Sequence, residues 1–167
     1  MNRSFKTLAM CAAVTAMLAA CGGGDDPDPT NRDSALTITL ATETALNGTY
    51  AAANTSLSDV QTIARAGATD ACEFTFDNIR KTTDNAISAT GRVRYIKDET
   101  TLNQFSISIN GSAYTGDNGS NAVVDRAASV IRFNGKVLTG GGASGLGTNT
   151  YTLTGVIPMA FSRPSGC

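Results

Sequence analysis

Apolar and polar residues alternate along much of the chain beyond residue 34, and this period of two is typical of half-buried β-strands. The first alternating segment covers residues 36–40, and the longest apolar face is formed by every second residue from Tyr151 to Phe161. Between them the alternation recurs at residues 72–77, 87–95 and 105–109, and apolar-rich segments cover 123–133 and 136–138. The pattern therefore predicts about seven to nine short antiparallel strands.

Turn residues separate these segments. Asn-Gly pairs occur at positions 47–48, 110–111, 118–119 and 134–135, and each is interpreted as a loop or turn, because Asn-Gly suits turns that need positive φ at both central residues. Pro158 cannot donate a ladder hydrogen bond, so its strand is predicted to lie at a sheet edge or to carry a bulge. The prediction is a single all-β domain, residues 35–167, folded as an antiparallel β-sandwich or a small β-barrel with strands in near-sequential order.

One segment favours a helix instead. Residues 56–67 begin with Ser56, which can cap a helix, and end with Gly67, which can terminate one. Leu57, Val60 and Ile63 then fall on one face, which would pack against the sheet or close one end of a barrel. An irregular loop is the alternative for so short a segment.

The first twenty residues have a different character. Arg3 and Lys6 are followed by an uncharged apolar stretch at 8–18, after which the chain changes abruptly to Gly and Asp. This is the pattern of a secretory signal peptide, because the apolar stretch is too short for a membrane-spanning helix. Residues 21–34 are rich in Gly, Asp and Pro and are predicted to form an extended acidic linker.

The end of this segment, Leu18-Ala19-Ala20-Cys21, resembles the lipobox of bacterial lipoproteins. The resemblance implies that Cys21 is acylated on sulfur with fatty chains such as palmitate and becomes the first residue of the mature protein. A lipid anchor of two or more chains holds a domain stably on a membrane. Gly22 follows the cysteine where Asp would signal retention on the inner membrane, so the resemblance implies the outer membrane, with the domain facing the periplasm or exposed at the surface. An ordinary signal peptide cleaved after Ala20 is the alternative.

The remaining cysteines indicate a disulfide. Cys11 lies within the predicted signal peptide, which leaves Cys72 and Cys167 as the two cysteines of the domain. An exported chain folds in an oxidising compartment, so we expect these two residues to be joined. A pair of redox-active thiols is the alternative, but a Cys-x-x-Cys spacing does not occur.

Charge and chemistry exclude several functions. Removal of residues 1–20 takes Arg3 and Lys6 from the 13 basic residues and none of the 14 acidic ones, which leaves a formal charge of −3. Nucleic-acid binding is therefore not expected. The chain contains no histidine, which removes serine–histidine triads, histidine bases and histidine-ligated metals. We predict no catalytic residues, no metal and no cofactor, although a carboxylate-driven hydrolase would need only two acids.

Three weaker features could bind ligands. The glycine-rich segment 139–147 lacks the Gly-Lys-Ser/Thr of a phosphate loop and is interpreted as a connection between strands. Residues 117–121 offer oxygen ligands in a turn but do not match a calcium-binding motif. Arg92, Arg94 and Lys97 could receive an anion, although a solvated face beside acidic neighbours is the simpler interpretation.

Two functions remain open from the sequence. The first is a non-catalytic binding or structural module of the cell envelope, anchored to the membrane through lipid and contacting an unknown envelope protein, glycan or lipid. The second is a carrier whose barrel holds a lipid or small molecule in an apolar cavity. Both require the same alternation, so the difference must lie in the interior: a cavity of a few hundred Å³ favours a carrier and a filled interior favours a module.

Overall fold

The computed structural model describes residues 32–117, 119–141 and 148–167, and these form an all-β domain, as predicted. The predicted signal peptide (1–20), Cys21 and most of the linker (21–34) lie outside the described residues, as do Asn118 and residues 142–147. The strands are β1 (Ser34–Thr39), β2 (Gly48–Ala52), β3 (Ser56–Leu57), β4 (Gln61–Ile63), β5 (Ala71–Lys81), β6 (Asp84–Ile96), β7 (Leu102–Ile109), β8 (Ser112–Asp117), β9 (Ala122–Asp125), β10 (Val130–Gly141) and β11 (Thr148–Pro158). A short 3-10 turn, Thr44–Leu46, precedes β2. Among the described residues, no helix is long and apolar enough to cross a bilayer.

The sheet closes on itself into a barrel, one of the two architectures that the pattern allows. Its order is β11-β1-β2-β5-β6-β7-β8-β10, and β10 pairs in turn with β11. All of these pairings are antiparallel, and the closing strand β11 aligns Val156 with Ala35 of β1 and Ile157 with Ile131 of β10. The short strands β3 and β4 continue alongside β5, and β9 continues alongside β10. Successive strands are therefore neighbours around the ring.

The two ends of the barrel are distinct. We call the loop end the one formed by the β1–β2, β5–β6 and β7–β8 connections, and the tail end the one at which β1 begins and β11 ends. Residues 159–167 fold back at the tail end, where Met159 N–H donates to the Ser129 carbonyl (2.8 Å). Met159 and Cys167 are both buried. The C-terminal segment therefore covers the tail end of the barrel.

The predicted helix at 56–67 is wrong. This segment forms β3 and β4, which pair with β5: Leu57 lies opposite Phe76 and Gln61 opposite Glu73. The Ser58 hydroxyl also accepts the Thr75 N–H (2.9 Å) between the two strands. An isolated helix of this length is marginal in water, whereas the long β5 offers unpaired backbone groups along its edge. Non-local pairing therefore overrides the local helix signals.

The Asn-Gly pairs have different outcomes. Asn110 and Gly111 form the β7–β8 turn with φ of 49° and 82°, as predicted. The interpretation of 134–135 as a turn is wrong, because β10 runs through both residues and carries a bulge there, with Gly135 at φ 73°. The strand of Pro158 is paired on both sides rather than at an edge. Pro158 is its last residue, beyond the last one paired to β1, so its missing N–H breaks no ladder bond on that side.

Candidate functional site

The interior of the barrel is filled by large side chains that cover glycines on the neighbouring strand. The rings of Phe76 on β5 and Phe105 on β7 stack with centroids 5.9 Å apart, across Gly91 of β6. A Cβ at Gly91 would lie 2.5 Å from Cζ of Phe76 and would also collide with the Ser106 carbonyl. Phe105 continues to Phe133 on β10 at 4.6 Å. These aromatic contacts join side chains of three strands, β5, β7 and β10, so side chains rather than open space occupy this part of the interior.

A second aromatic group fills the interior toward the loop end. The rings of Tyr114 on β8 and Tyr151 on β11 lie 4.6 Å apart, and Tyr114 passes over Gly140 of β10. Burial, followed by the nearby Tyr114 and Glu43, raises the pKa of Tyr50 to about 12. Burial also raises the pKa of Tyr114 and Tyr151. These phenols therefore stay protonated at neutral pH and behave as core residues.

The tail end holds the predicted disulfide. Cys72 of β5 is bonded to Cys167, with Cα atoms 5.6 Å apart and a sequence separation of 95 residues. The buried Tyr95 hydroxyl donates to the Cys167 carbonyl at 2.8 Å. The guanidinium of Arg126 lies 5.5 Å from the centre of the Tyr95 ring. Both sulfur-bearing residues are almost inaccessible, so the bond fixes the C-terminal segment to the sheet.

The bulge in β10 places a lysine inside the barrel, which the sequence pattern does not predict. Phe133 and Leu138 face inward, and the extra residue at Gly135 brings Lys136 to the interior face between them. Lys136 is only 2% exposed, and its ammonium donates to the Ser120 carbonyl at 3.2 Å. The only sequence signal was the Asn-Gly pair, which is compatible with a bulge as well as with a turn.

The predicted cationic group is not assembled as one site. Arg94 forms an ion pair with Glu73 (Nη2–Oε2 2.6 Å), and Arg92 lies 3.8 Å from the same carboxylate. Lys97 lies beyond them in the β6–β7 turn, close to Gly166 at the tail end. The two arginines thus share one carboxylate on the outer face, and the simpler interpretation of a solvated, acid-paired face fits this geometry.

The other weak candidates are only partly described. Of the 117–121 segment, Asn118 lies outside the described residues, and the Ser120 carbonyl already accepts the Lys136 ammonium. Most of the glycine-rich segment 139–147 is likewise outside them. Within the described ranges, no three Asp, Glu or Cys residues come together in a group that could hold a metal ion.

A surface groove on the outside of the barrel was not predicted. It has a volume of about 440 Å³ and crosses β5, β6, β7 and β8. Its polar lining comes from Thr75, Asp77, Thr90, Arg92, Ser106 and Ser108. These residues are scattered in sequence and meet because the register aligns Thr75 with Arg92 and Arg92 with Ser106. Cross-strand register has no signature in a single sequence, which is why the pattern does not reveal the groove.

Comparison of this chain with protein-family models, with curated proteins and with solved structures found no match. The function must therefore be argued from the chain's own residues.

Proposed function

We propose that this protein is a lipid-anchored component of the bacterial cell envelope whose barrel is a non-catalytic binding or structural module. The anchor is proposed from the resemblance of Leu18-Ala19-Ala20-Cys21 to a lipobox. The module is proposed from one structural observation, the filled interior. Rings from β5, β7 and β10 contact one another inside the barrel, and so do rings from β8 and β11, where a carrier of the same topology would need open space.

A carrier of lipids or small molecules is the weaker candidate for the same reason. The groove of about 440 Å³ lies on the outer surface and is lined mainly by polar side chains. An apolar ligand would instead require displacement of buried rings such as Phe105 and Tyr151, each at most 1% exposed. Close-packed interiors resist such displacement. The absence of histidine from the sequence supports the non-catalytic part of the proposal.

Two cysteine variants test the anchor. Cys21→Ser should move the protein from the membrane fraction to the soluble fraction and remove the mass of the fatty chains, because acylation requires the thiol. Cys11→Ser is the matched control, since Cys11 lies in the part that the proposal removes. Equal membrane retention of both variants would refute the anchor.

Mass spectrometry of the protein purified from the envelope tests the module against the carrier. Under non-denaturing conditions, the module should show only covalent fatty chains, and denaturation should release no additional lipid or small molecule. A stoichiometric apolar compound released on unfolding would refute the module and favour the carrier.

A further inference from the structure

The outer groove contains one carboxylate whose position is set by a β-bulge. Asp77 lines the groove at a β-bulge. There the β5–β6 register shifts between Phe76 and Ile79, and Asn78 adopts a φ of 70°. The Asn78 N–H donates to the Asp77 carboxylate at 2.5 Å. Positive φ in a residue other than glycine is uncommon, and bulges often re-aim a side chain beside a functional surface. The bulge therefore orients the one carboxylate of the groove.

The hydroxyl groups of the groove are available to a ligand. Within the described residues, the side chains of Thr75, Thr90, Ser106 and Ser108 have no intramolecular hydrogen-bond partner. Thr90, Ser106 and Ser108 are nevertheless half-buried by the groove walls. Register sets Thr90 opposite Ser108 on adjacent strands, about 4.8 Å apart. The groove thus presents a regular set of unused donors and acceptors.

Two threonine hydroxyls on the opposite side of the barrel are bonded to backbone groups. The Thr154 hydroxyl on β11 accepts the Gly135 N–H at 3.1 Å, and the Thr42 hydroxyl accepts the Thr150 N–H at 3.1 Å. These hydroxyls satisfy backbone groups of the fold itself. Thr37 and Thr152, on the outer faces of β1 and β11, also have no side-chain hydrogen bond among the described residues. What distinguishes the groove is that four such hydroxyls line one concave surface.

The charge of the lining favours an uncharged ligand. Asp77 and Arg92 are the only charged side chains that line the groove, and their formal charges cancel. Arg92 is 55% exposed at its side chain and contacts Glu73 only at 3.8 Å, so its remaining donors face solvent. A carboxylate acceptor and a guanidinium donor among hydroxyls match the vicinal hydroxyl groups of a sugar. A strong anion or cation would be repelled by the one of these two groups that carries the same charge.

The groove is long enough for a chain rather than a single ring. Thr75 also lines a second groove of about 230 Å³, together with Ser58, Asp59, Gln61 and Glu73. Glu73 is ion-paired with Arg94 at 2.6 Å, so Asp59 adds one further carboxylate and the extended lining disfavours an anionic chain. The two grooves run from β4 to β8, across four strand spacings of about 4.8 Å each. An extended polymer could therefore lie across the strands.

We propose that this groove binds a neutral polysaccharide segment, which rests on the proposed function of an envelope binding module and names its ligand class. The Thr90 and Ser106 hydroxyls exchange hydrogen bonds with the sugar hydroxyls, and the Asp77 carboxylate accepts them. The floor between them is backbone at Gly91 and Ile107, because the Ile107 side chain is buried in the barrel interior. The groove is open and polar, so binding is weak for a single segment, with a Kd of about 1 mM (roughly −4 kcal/mol).

Nuclear magnetic resonance titration of the whole purified protein tests the proposal. The probes are soluble chito-oligosaccharides and malto-oligosaccharides, with a sulfated oligosaccharide as the charged comparison. A phosphocholine detergent keeps the acylated protein in solution, because glucoside detergents would compete for the site. Amide shifts should be confined to residues near 75–77, 90–92 and 106–108 for at least one neutral probe and should be weaker for the sulfated one.

Variants separate the groove from the rest of the surface. Thr90→Val and Asp77→Asn should each weaken binding of the responding neutral oligosaccharide about three- to tenfold, which is the cost of one lost hydrogen bond. Thr152→Val, on the outer face of β11, is the matched control and should leave binding unchanged. Absence of shifts at probe concentrations well above 1 mM, shifts outside the groove, or stronger binding of the sulfated probe would overturn the proposal. These outcomes do not depend on membrane fractionation, so the anchor and the groove can fail separately.

Discussion

The disulfide between Cys72 and Cys167 should provide a large share of the stability of this domain. It joins the start of β5 to the last residue, and the sequence separation is 95 residues. A cross-link over so long a loop removes conformational entropy mainly from the unfolded chain. The perturbation is reduction of this one bond, which leaves both sulfur atoms in place and changes no side-chain volume.

The magnitude follows from the loop length. The chain-entropy relation gives about 4.7 kcal/mol at 25 °C for this separation of 95 residues. Typical small domains have a total unfolding free energy of about 5 to 15 kcal/mol, so the loss is a substantial fraction. With a urea m value of at most about 3 kcal/mol/M, the unfolding midpoint should fall by at least about 1.5 M.

Urea denaturation followed by circular dichroism, with and without reductant, measures the change. The double variant Cys72→Ala, Cys167→Ala is the control: it should resemble the reduced protein apart from a small packing loss, and reductant should not affect it. A difference below about 1 kcal/mol between the oxidised and reduced protein would refute the entropic reasoning, because an unconstrained loop of this length could not cost so little.

Three further predictions concern the interior. Gly91→Ala should destabilise the domain by about 1–3 kcal/mol, since the new Cβ meets the Phe76 ring and a backbone carbonyl; thermal denaturation measures this, and an unchanged Tm would contradict it. Tyr95→Phe should lower the unfolding free energy by about 1 kcal/mol, because the Tyr95 hydroxyl donates to a buried carbonyl. Tyr151→Phe should be neutral or stabilising, because the buried Tyr151 hydroxyl has no hydrogen-bond partner among the described residues. Urea denaturation measures both variants, and the opposite order of stability would be inconsistent with these contacts. The folded-state pKa of Tyr50 is raised from 10.0 to about 12. The contribution of the protonated Tyr50 phenol to stability is therefore complete below pH 10 and should be lost between pH 10 and 12. Phenolate absorbance of the folded protein measures this titration, and a transition near pH 10 would refute the prediction.

Sequence alone predicts the elements whose signals are local. The strands at 72–77, 87–95 and 105–109 appear within β5, β6 and β7 because alternate residues bury one face. The Asn110–Gly111 turn is predictable because few dipeptides adopt positive φ twice. The disulfide follows from counting the cysteines left in a domain that the sequence predicts to be exported.

Errors occur where long-range pairing decides the conformation. Segment 56–67 has adequate helix signals, but β5 extends well beyond its pairing with β2 and leaves backbone groups that β3 and β4 satisfy. At 134–135 the same Asn-Gly signal serves a bulge, because β10 is paired with β11 on both sides of it. That bulge moves Lys136 inward, since one added residue reverses the alternation. Barrel closure is also decided by pairing between the first and last strands, which no local pattern encodes.

The positions of the two proposed functional regions are compatible with one another. In the ring order β11-β1-β2-β5-β6-β7-β8-β10, β7 is four strands from β1, so the groove over β5–β8 lies on the side of the barrel opposite β1. The chain enters β1 at the tail end, at Ser34, where the proposed tether must join the domain. A tether that attaches at one end of the barrel and opposite the groove leaves the groove exposed along the barrel wall. Lengthening the linker should therefore leave saccharide affinity unchanged, whereas a tether that covered the groove would make affinity depend on linker length.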